Sequence, residues 1–374
     1  MNNLFELINM SGFLYMTPQM LVMWVIAGVL FYLAIAKQFE PLLLLPIGFG
    51  ILLANLPLTG LMEPGEGLIW RFFHYGIQWE VIPPLIFLGV GAMTDFGPVL
   101  ANPKLLFLGA GAQVGVYITF FSAHLFGFDL AESAVIGIIG GADGPTTIYL
   151  GAKLAPHMLG SCAVAAYSYM AMVPIVQPPV MNLLTTKKER TIRMKTKRKV
   201  GKLEKILFPF VASVIIILLI PAAAPLMAMF MLGNIFRESK VVDRLNNAAQ
   251  NEMMNIATIF LGLPVGATMN AEQFLRPDVI FIFVLGLIAF MISTASGVLL
   301  AKFMNLFLRE DTKINPLVGG AGVSAVPMAA RVVHSMGAKE DKKNYLLMHA
   351  MGPNVAGVIG TVMAAGIFLS LIQG

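Results

Sequence analysis

Asp143 is the only charged residue between Ser133 and Ala152, in the run Gly140-Gly141-Ala142-Asp143-Gly144-Pro145-Thr146-Thr147. A lone carboxylate at membrane depth is unfavourable by about 2.5 kcal/mol or more, so by default it marks a functional position. The glycines and proline around it break a helix at that depth. Broken backbone inside a membrane persists only where it is buried in protein or lines a cavity. Asp143, the nearby hydroxyls and the freed backbone at Gly141 and Gly144 together make an oxygen-rich site for a small hard cation. The bland alternative is a protonated Asp143 hydrogen-bonded to a neighbouring helix.

A second interrupted segment runs from Asn315 to Arg331 and carries Gly319-Gly320-Ala321-Gly322-Val323-Ser324. Asn315 and Ser324 offer neutral oxygen ligands, and Gly319 and its neighbours free backbone carbonyls. Arg331 could fork onto a carboxylate substrate. Its bland alternative is a residue snorkelling from a span end. Asn354, in Gly352-Pro353-Asn354, again pairs an amide with a helix break, where an interhelical hydrogen bond is the simpler role. Tyr167 and Tyr169 lie inside an apolar run, and a buried phenol can donate or shuttle a proton. Only one of them should face the site, because positions two apart on a helix point differently. Asp95 and Asn270 are expected to cap short helices.

These residues need a membrane scaffold to hold them. Of the 374 residues 57% are hydrophobic and 12% charged, and the mean hydropathy is +0.80. A soluble domain carries roughly 25% charged residues. The composition predicts an all-α polytopic membrane protein with about eleven membrane segments; strand alternation is absent, which excludes an outer-membrane barrel. The start, Met1 to Gln19, is weakly amphipathic and leads into a span without a cleavable signal pattern. The single cysteine, Cys162, allows neither a disulfide framework nor a cysteine metal site within one chain.

Lys187 to Lys205 holds ten basic residues against two acidic ones. The positive-inside rule makes linker 183–205 cytoplasmic, and contact with anionic lipid or an acidic partner is compatible with it. No aromatic platform accompanies the charge, so nucleic acid is not an expected partner. The linker divides the chain into halves 1–182 and 206–374, and the halves repeat. Ile86-Phe87-Leu88-Gly89 returns as Ile259-Phe260-Leu261-Gly262, and Val90-Gly91-Ala92 as Val265-Gly266-Ala267. Gly140-Gly141-Ala142 returns as Gly319-Gly320-Ala321, and Ala171-Met172-x-Pro174 as Ala350-Met351-x-Pro353. The offsets are 173, 175, 179 and 179. This order predicts inverted repeats whose discontinuous helices meet at a midplane site, as in secondary transporters. If every segment crosses, the start of the chain shares the linker's face; a re-entrant segment would break that assignment. No nucleotide-binding motif occurs, so an ion gradient or an attached chemical step is the expected energy source.

The strings GGADGPT, NPLVGGAGVSAVPMAARV and HAMGPNVAGVIG together closely resemble the membrane β subunit of the sodium-pumping, biotin-dependent decarboxylases. That group includes the oxaloacetate, methylmalonyl-CoA and glutaconyl-CoA decarboxylases. The resemblance implies decarboxylation of carboxybiotin coupled to Na+ export, with a proton consumed. It implies an inner-membrane location in a bacterium. It also implies three partners, namely a biotin carrier protein, a carboxyltransferase subunit and a small membrane-anchored subunit, and a homotrimeric core. Carboxybiotin would come from a partner subunit, and no nucleotide or transition metal is implied. Carried over by position, Asp143 matches the family's aspartate for Na+ binding and proton exchange, and Tyr169 a tyrosine linked to proton delivery. Asn315, Ser324 and Asn354 match Na+-site positions, Gly319 a functional glycine, and Arg331 an arginine near carboxybiotin. The residues alone leave open a sodium-coupled organic-anion symporter, with Arg331 on the transported carboxylate. A purely structural anchor is disfavoured, since an anchor needs no charge at Asp143.

Overall fold

The computed structural model describes residues 11–195, 198–325 and 327–373; 79% is helical, and no strand occurs among the described residues. Residues 1–10 of the amphipathic start, and Lys197 of the basic run, lie outside them. In chain order the principal helices are α1 (Pro18–Ile35), α2 (Pro41–Ala54), α3 (Leu68–Gln78), α4 (Ile82–Met93), α5 (Lys104–Leu125), α6 (Leu130–Ile139), α7 (Gly144–Leu154), α8 (Leu159–Leu184), α9 (Lys202–Leu219), α10 (Ala224–Ser239), α11 (Met254–Ala267), α12 (Pro277–Asn305), α13 (Met328–Glu340) and α14 (Leu347–Gln373).

Local sequence sets many of these boundaries. Thr17 caps α1 by accepting from Met20 N, and prolines open α1, α2 and α12, where their missing N–H costs nothing. Asp129 and Glu132 close a capping box at α6. Asp95 accepts from Gly97 N and Asn270 from Gln273 N, so both begin short helices, as the sequence suggests. Five helices are long and apolar enough to cross a membrane, or six if α3 and α4, bent by 62°, form one span. Several of the eleven apolar runs are shorter than a span: α2 has 14 residues and α6 has 10. A hydrocarbon core needs about 20 residues.

The helices form two packing groups. One holds α1, α2, α4, α10 and α11; the other holds α5, α6, α8, α12, α13, α14 and the 3-10 segment Pro316–Gly322. In the first group each half of the sequence lends a helix to the other, since α2 lies on α11 and α10 lies on α4. Both crossings are close because glycines meet backbone. A β-carbon at Gly50 would strike residues 263–267, and one at Gly233 would strike Leu88 and Ala92.

Two interrupted hairpins enter the second group from opposite ends of α8. That helix has 26 residues and is therefore about 39 Å long. The first hairpin is α6 and α7. Its base sits at the N-terminal end of α8, where His157 Nε2 lies 2.9 Å from Glu132 Oε1. The second is Pro316–Gly322 followed by α13, and its base sits at the other end, on the linker. There the carbonyls of Arg190 and Ile192 accept from Asn315 Nδ2 (2.8 and 2.9 Å) and from Asn344 Nδ2 (3.0 and 3.2 Å). Arg190 pairs with Glu340 at 2.9 Å and Arg193 with Asp341 at 2.6 Å. These contacts fasten residues 190–193 of the linker, which lie between the end of α8 at Leu184 and the start of α9 at Lys202.

The start of α1 lies at the face opposite the linker. Trp24 Nε1 donates to Asn55 O, and Asn55 bonds Met269 O and Ala271 N just before α12. The far end of α12 meets the linker, where Lys302 Nζ donates to Leu184 O. The start of α1 and the linker therefore lie at opposite ends of α12.

Candidate functional site

The tips of the two hairpins touch. Helix α6 ends at Ile139, and Gly140 to Asp143 run unwound before α7. Ala142 is left-handed there (φ 51°), which costs a residue with a β-carbon about 1 kcal/mol. Asp143 then caps α7. Its Oδ1 accepts from Thr146 N at 3.1 Å and its Oδ2 from Ser324 Oγ at 2.9 Å, and the side chain is 4% exposed. On the other hairpin the 3-10 turn ends at Gly322 and Val323 is extended, so that Ser324 N donates to Gly141 O at 2.8 Å. Asn354 Nδ2, on α14, faces the carbonyls of Ala321, Val323 and Ala325 at 3.3, 2.8 and 3.4 Å. It supplies the donors that the unwound backbone has lost.

A cavity of about 250 Å³ reaches this contact. One wall carries Asp143, Pro145, Tyr167, Ser324 and Pro327; the other carries Glu40, Phe87, Val90 and Thr258, with Met93, Met170, Met254 and Met351 between. It opens toward the linker's face. Met93 ends α4, where its carbonyl accepts from Arg237, and Met351 lies just past His349, which bonds Met194 O of the linker. Glu40 begins α2, whose other end is Asn55 on the opposite face. The assembled donors are one carboxylate, a serine hydroxyl and backbone carbonyls, a hard-oxygen set suited to a hard cation.

The sequence-predicted residues divide into those at the contact and those away from it. Asp143, Ser324, Gly141 and Asn354 meet there. Gly144 admits the Tyr167 ring, which a β-carbon would overlap. Gly319 lies against the backbone of Gly297, in the wall behind. Tyr169 instead donates its hydroxyl to Phe283 O, outside the cavity lining. Asn315 holds the base of its hairpin, with its amide on two linker carbonyls and its Oδ1 accepting from Leu317 N at 3.1 Å. Arg331 is exposed in a separate groove of about 320 Å³ with Pro174, Pro178 and Met328.

Sequence reasoning left Tyr167 and Tyr169 open, with only the resemblance favouring Tyr169, and passed over Glu40. Tyr167 shares a helical face with Met170 and Pro174 at spacings of three and seven, a pattern that could have chosen it over Tyr169. Nothing local marks Glu40. The Asn354 amide gives a direct expectation. Asn354→Ala leaves the Ala321, Val323 and Ala325 carbonyls short of a donor and should destabilise the protein by about 1–3 kcal/mol. Asn354→Asp should do no better, since a carboxylate would face those carbonyls. Thermal unfolding of the purified variants checks both.

Comparison with known proteins places residues 19–372 in a match to the family model described as the Na+-transporting oxaloacetate decarboxylase beta subunit. The chain is 57% identical to the methylmalonyl-CoA decarboxylase subunit beta of Veillonella parvula over 368 residues, covering 98% of this chain and 97% of that one. It is 54% identical to the glutaconyl-CoA decarboxylase subunit beta of Acidaminococcus fermentans, covering 99% and 97% of the two. It is 49% identical to the oxaloacetate decarboxylase beta chain of Klebsiella pneumoniae, covering 100% and 99%.

Proposed function

This chain belongs to the family of Na+-transporting oxaloacetate decarboxylase beta subunits, and from that premise we propose that it decarboxylates carboxybiotin and couples the step to Na+ export. The observation that carries the reading is the bond between Asp143 and Ser324, where two interrupted hairpins meet at the end of a cavity. Carboxybiotin arrives on a biotin carrier protein. Its N-carboxylate loses carbon dioxide as the C–N bond breaks, the electron pair stays on the ureido ring, and a proton is taken up there. Asp143 exchanges that proton for Na+, with Ser324 and freed carbonyls as further oxygen ligands. Arg331 receives the carboxylate of the incoming group, and its exposed groove supports that role. Asn354 and Asn315 hold the second hairpin in shape, at its tip and its base. Tyr169 delivers protons in this reading, with Tyr167 nearer to Asp143.

The linker lies at the cytoplasmic face of a bacterial inner membrane in this reading, which its basic residues support. The cavity's opening on that face suits a ligand delivered from inside. The exchange of α2 and α10 between halves, and hairpins entering from opposite ends of α8, support inverted repeats spanning 1–182 and 206–374. Export against 100 mV costs roughly 2.3 kcal/mol per charge, so the chemistry must gate the movement. The complex further holds a carboxyltransferase subunit, a small membrane-anchored subunit and a trimer of this chain.

The reading is tested by supplying carrier-bound carboxybiotin to the reconstituted protein with and without Na+. Carbon dioxide release that rises with Na+ is the expected result. No release in either condition, together with uptake of a labelled organic acid by this chain alone, would replace the reading with a symporter.

A further inference from the structure

Glu40 occupies the N-cap of α2, where a carboxylate ordinarily accepts from the helix's free N–H groups. It makes no such bond. Its backbone is left-handed (φ 38°), a conformation that favours glycine. Its side chain has no hydrogen bond or ion pair among the described residues, and it lines the cavity that ends at Asp143. A second group in the same cavity is also without a partner. The Tyr167 hydroxyl is fully buried with no hydrogen-bond partner among the described residues, and Tyr167 lines the same cavity as Asp143 and Glu40. A buried hydroxyl with no partner calls for one that arrives. Two carboxylates and a free phenol oxygen around one small cavity form an oxygen-lined approach to the hairpin tips.

We propose that Glu40 is a cation-capturing residue, which holds a Na+ ion at the linker-side mouth of this cavity before it passes by the Tyr167 oxygen to Asp143. The proposal rests on the decarboxylase reading above and deepens it. Asp143 is already committed to Thr146 N and Ser324 Oγ, so an arriving cation must break into an existing network. Glu40 has no such commitment. It can take the cation first and raise its local concentration beside Asp143.

The test uses the reconstituted complex with wild type, Glu40→Gln and Glu40→Asp. Each is assayed for decarboxylation across a Na+ series, and for the upward shift in thermal unfolding midpoint that Na+ produces. Glu40→Gln should raise the half-saturating Na+ concentration by about tenfold while the rate at saturating Na+ stays within about twofold. Glu40→Asp should recover most of the affinity, and the Na+-induced thermal shift should follow the same order. An unchanged half-saturating concentration in a folded Glu40→Gln protein overturns the proposal. So does loss of maximal rate in both variants with Na+ affinity intact, which would mark Glu40 as a structural residue. Wild-type decarboxylation indifferent to Na+ would sink the parent reading itself, and the proposal with it.

Discussion

Asp143→Asn is expected to remove Na+-dependent decarboxylation, lowering the rate by roughly 100- to 10,000-fold, the range for losing a positioned proton-transfer group. The substitution keeps shape. An amide oxygen can still accept from Thr146 N, and Ser324 Oγ, now 2.9 Å from the carboxylate, can rotate to accept from the new amide. The hairpin tips should therefore stay joined, helped by the independent bond from Ser324 N to Gly141 O. What disappears is the negative charge that draws a cation and the capacity to carry a proton. Carbon dioxide release and radioactive Na+ uptake in vesicles should fall together, with the thermal midpoint near that of the wild type. More than a tenth of wild-type activity in the Asn variant would rule out Asp143 as the coupling group. Ser324→Ala should be milder, since it removes one neutral oxygen and one hydrogen bond.

The second large effect concerns folding. Gly319 and Gly297 lie backbone against backbone, and a β-carbon on either would fall well inside contact distance of the other's carbonyl oxygen. Neither partner is a flexible side-chain end, so relief requires α12 or the 3-10 turn to move. Gly319→Ala should destabilise by about 3 kcal/mol, at the upper end of overpacking costs. Gly297→Ala should do the same. Gly28→Ala, on α1 with nothing within 4 Å of the new carbon, serves as the control and should be harmless. Thermal unfolding in detergent decides the matter. A Gly319→Ala protein that melts with the control would mean that this crossing is looser than described.

The elements that break helices were the easiest to read. Gly140 to Pro145 and Asn315 to Ser324 stand out because polar groups and helix breakers are costly in an apolar run, so their presence carries information. The pairing of Asp143 with Ser324, 181 positions away, was legible only as two oxygen-bearing breaks in matching places of a repeat. What local pattern could not reveal were contacts set by tertiary placement. The basic linker reads as a positive-inside topology signal, yet its carbonyls hold Asn315 and Asn344. Choosing between Tyr167 and Tyr169 needed the helix's rotation, which a nearly uniform apolar face does not define. The number of crossings is beyond local pattern for a related reason, since hydropathy cannot distinguish a hairpin that turns back from a helix that goes through.

The exchange of helices between the halves has a mechanical consequence. Because α2 is locked to α11 and α10 to α4 by backbone contacts, neither half of the sequence can travel as a rigid body. The two packing groups are each assembled from both halves, and the boundary between them runs through the cavity. Glu40, Phe87 and Thr258 ride on one part, and Asp143, Tyr167 and Ser324 on the other. Shear along that seam would change the distance between the two carboxylates without unfolding either hairpin. The gear ratio of such a machine would be set at the seam, and a cross-link from α2 to α8 should stall it, whereas one from α2 to α11 should leave it running.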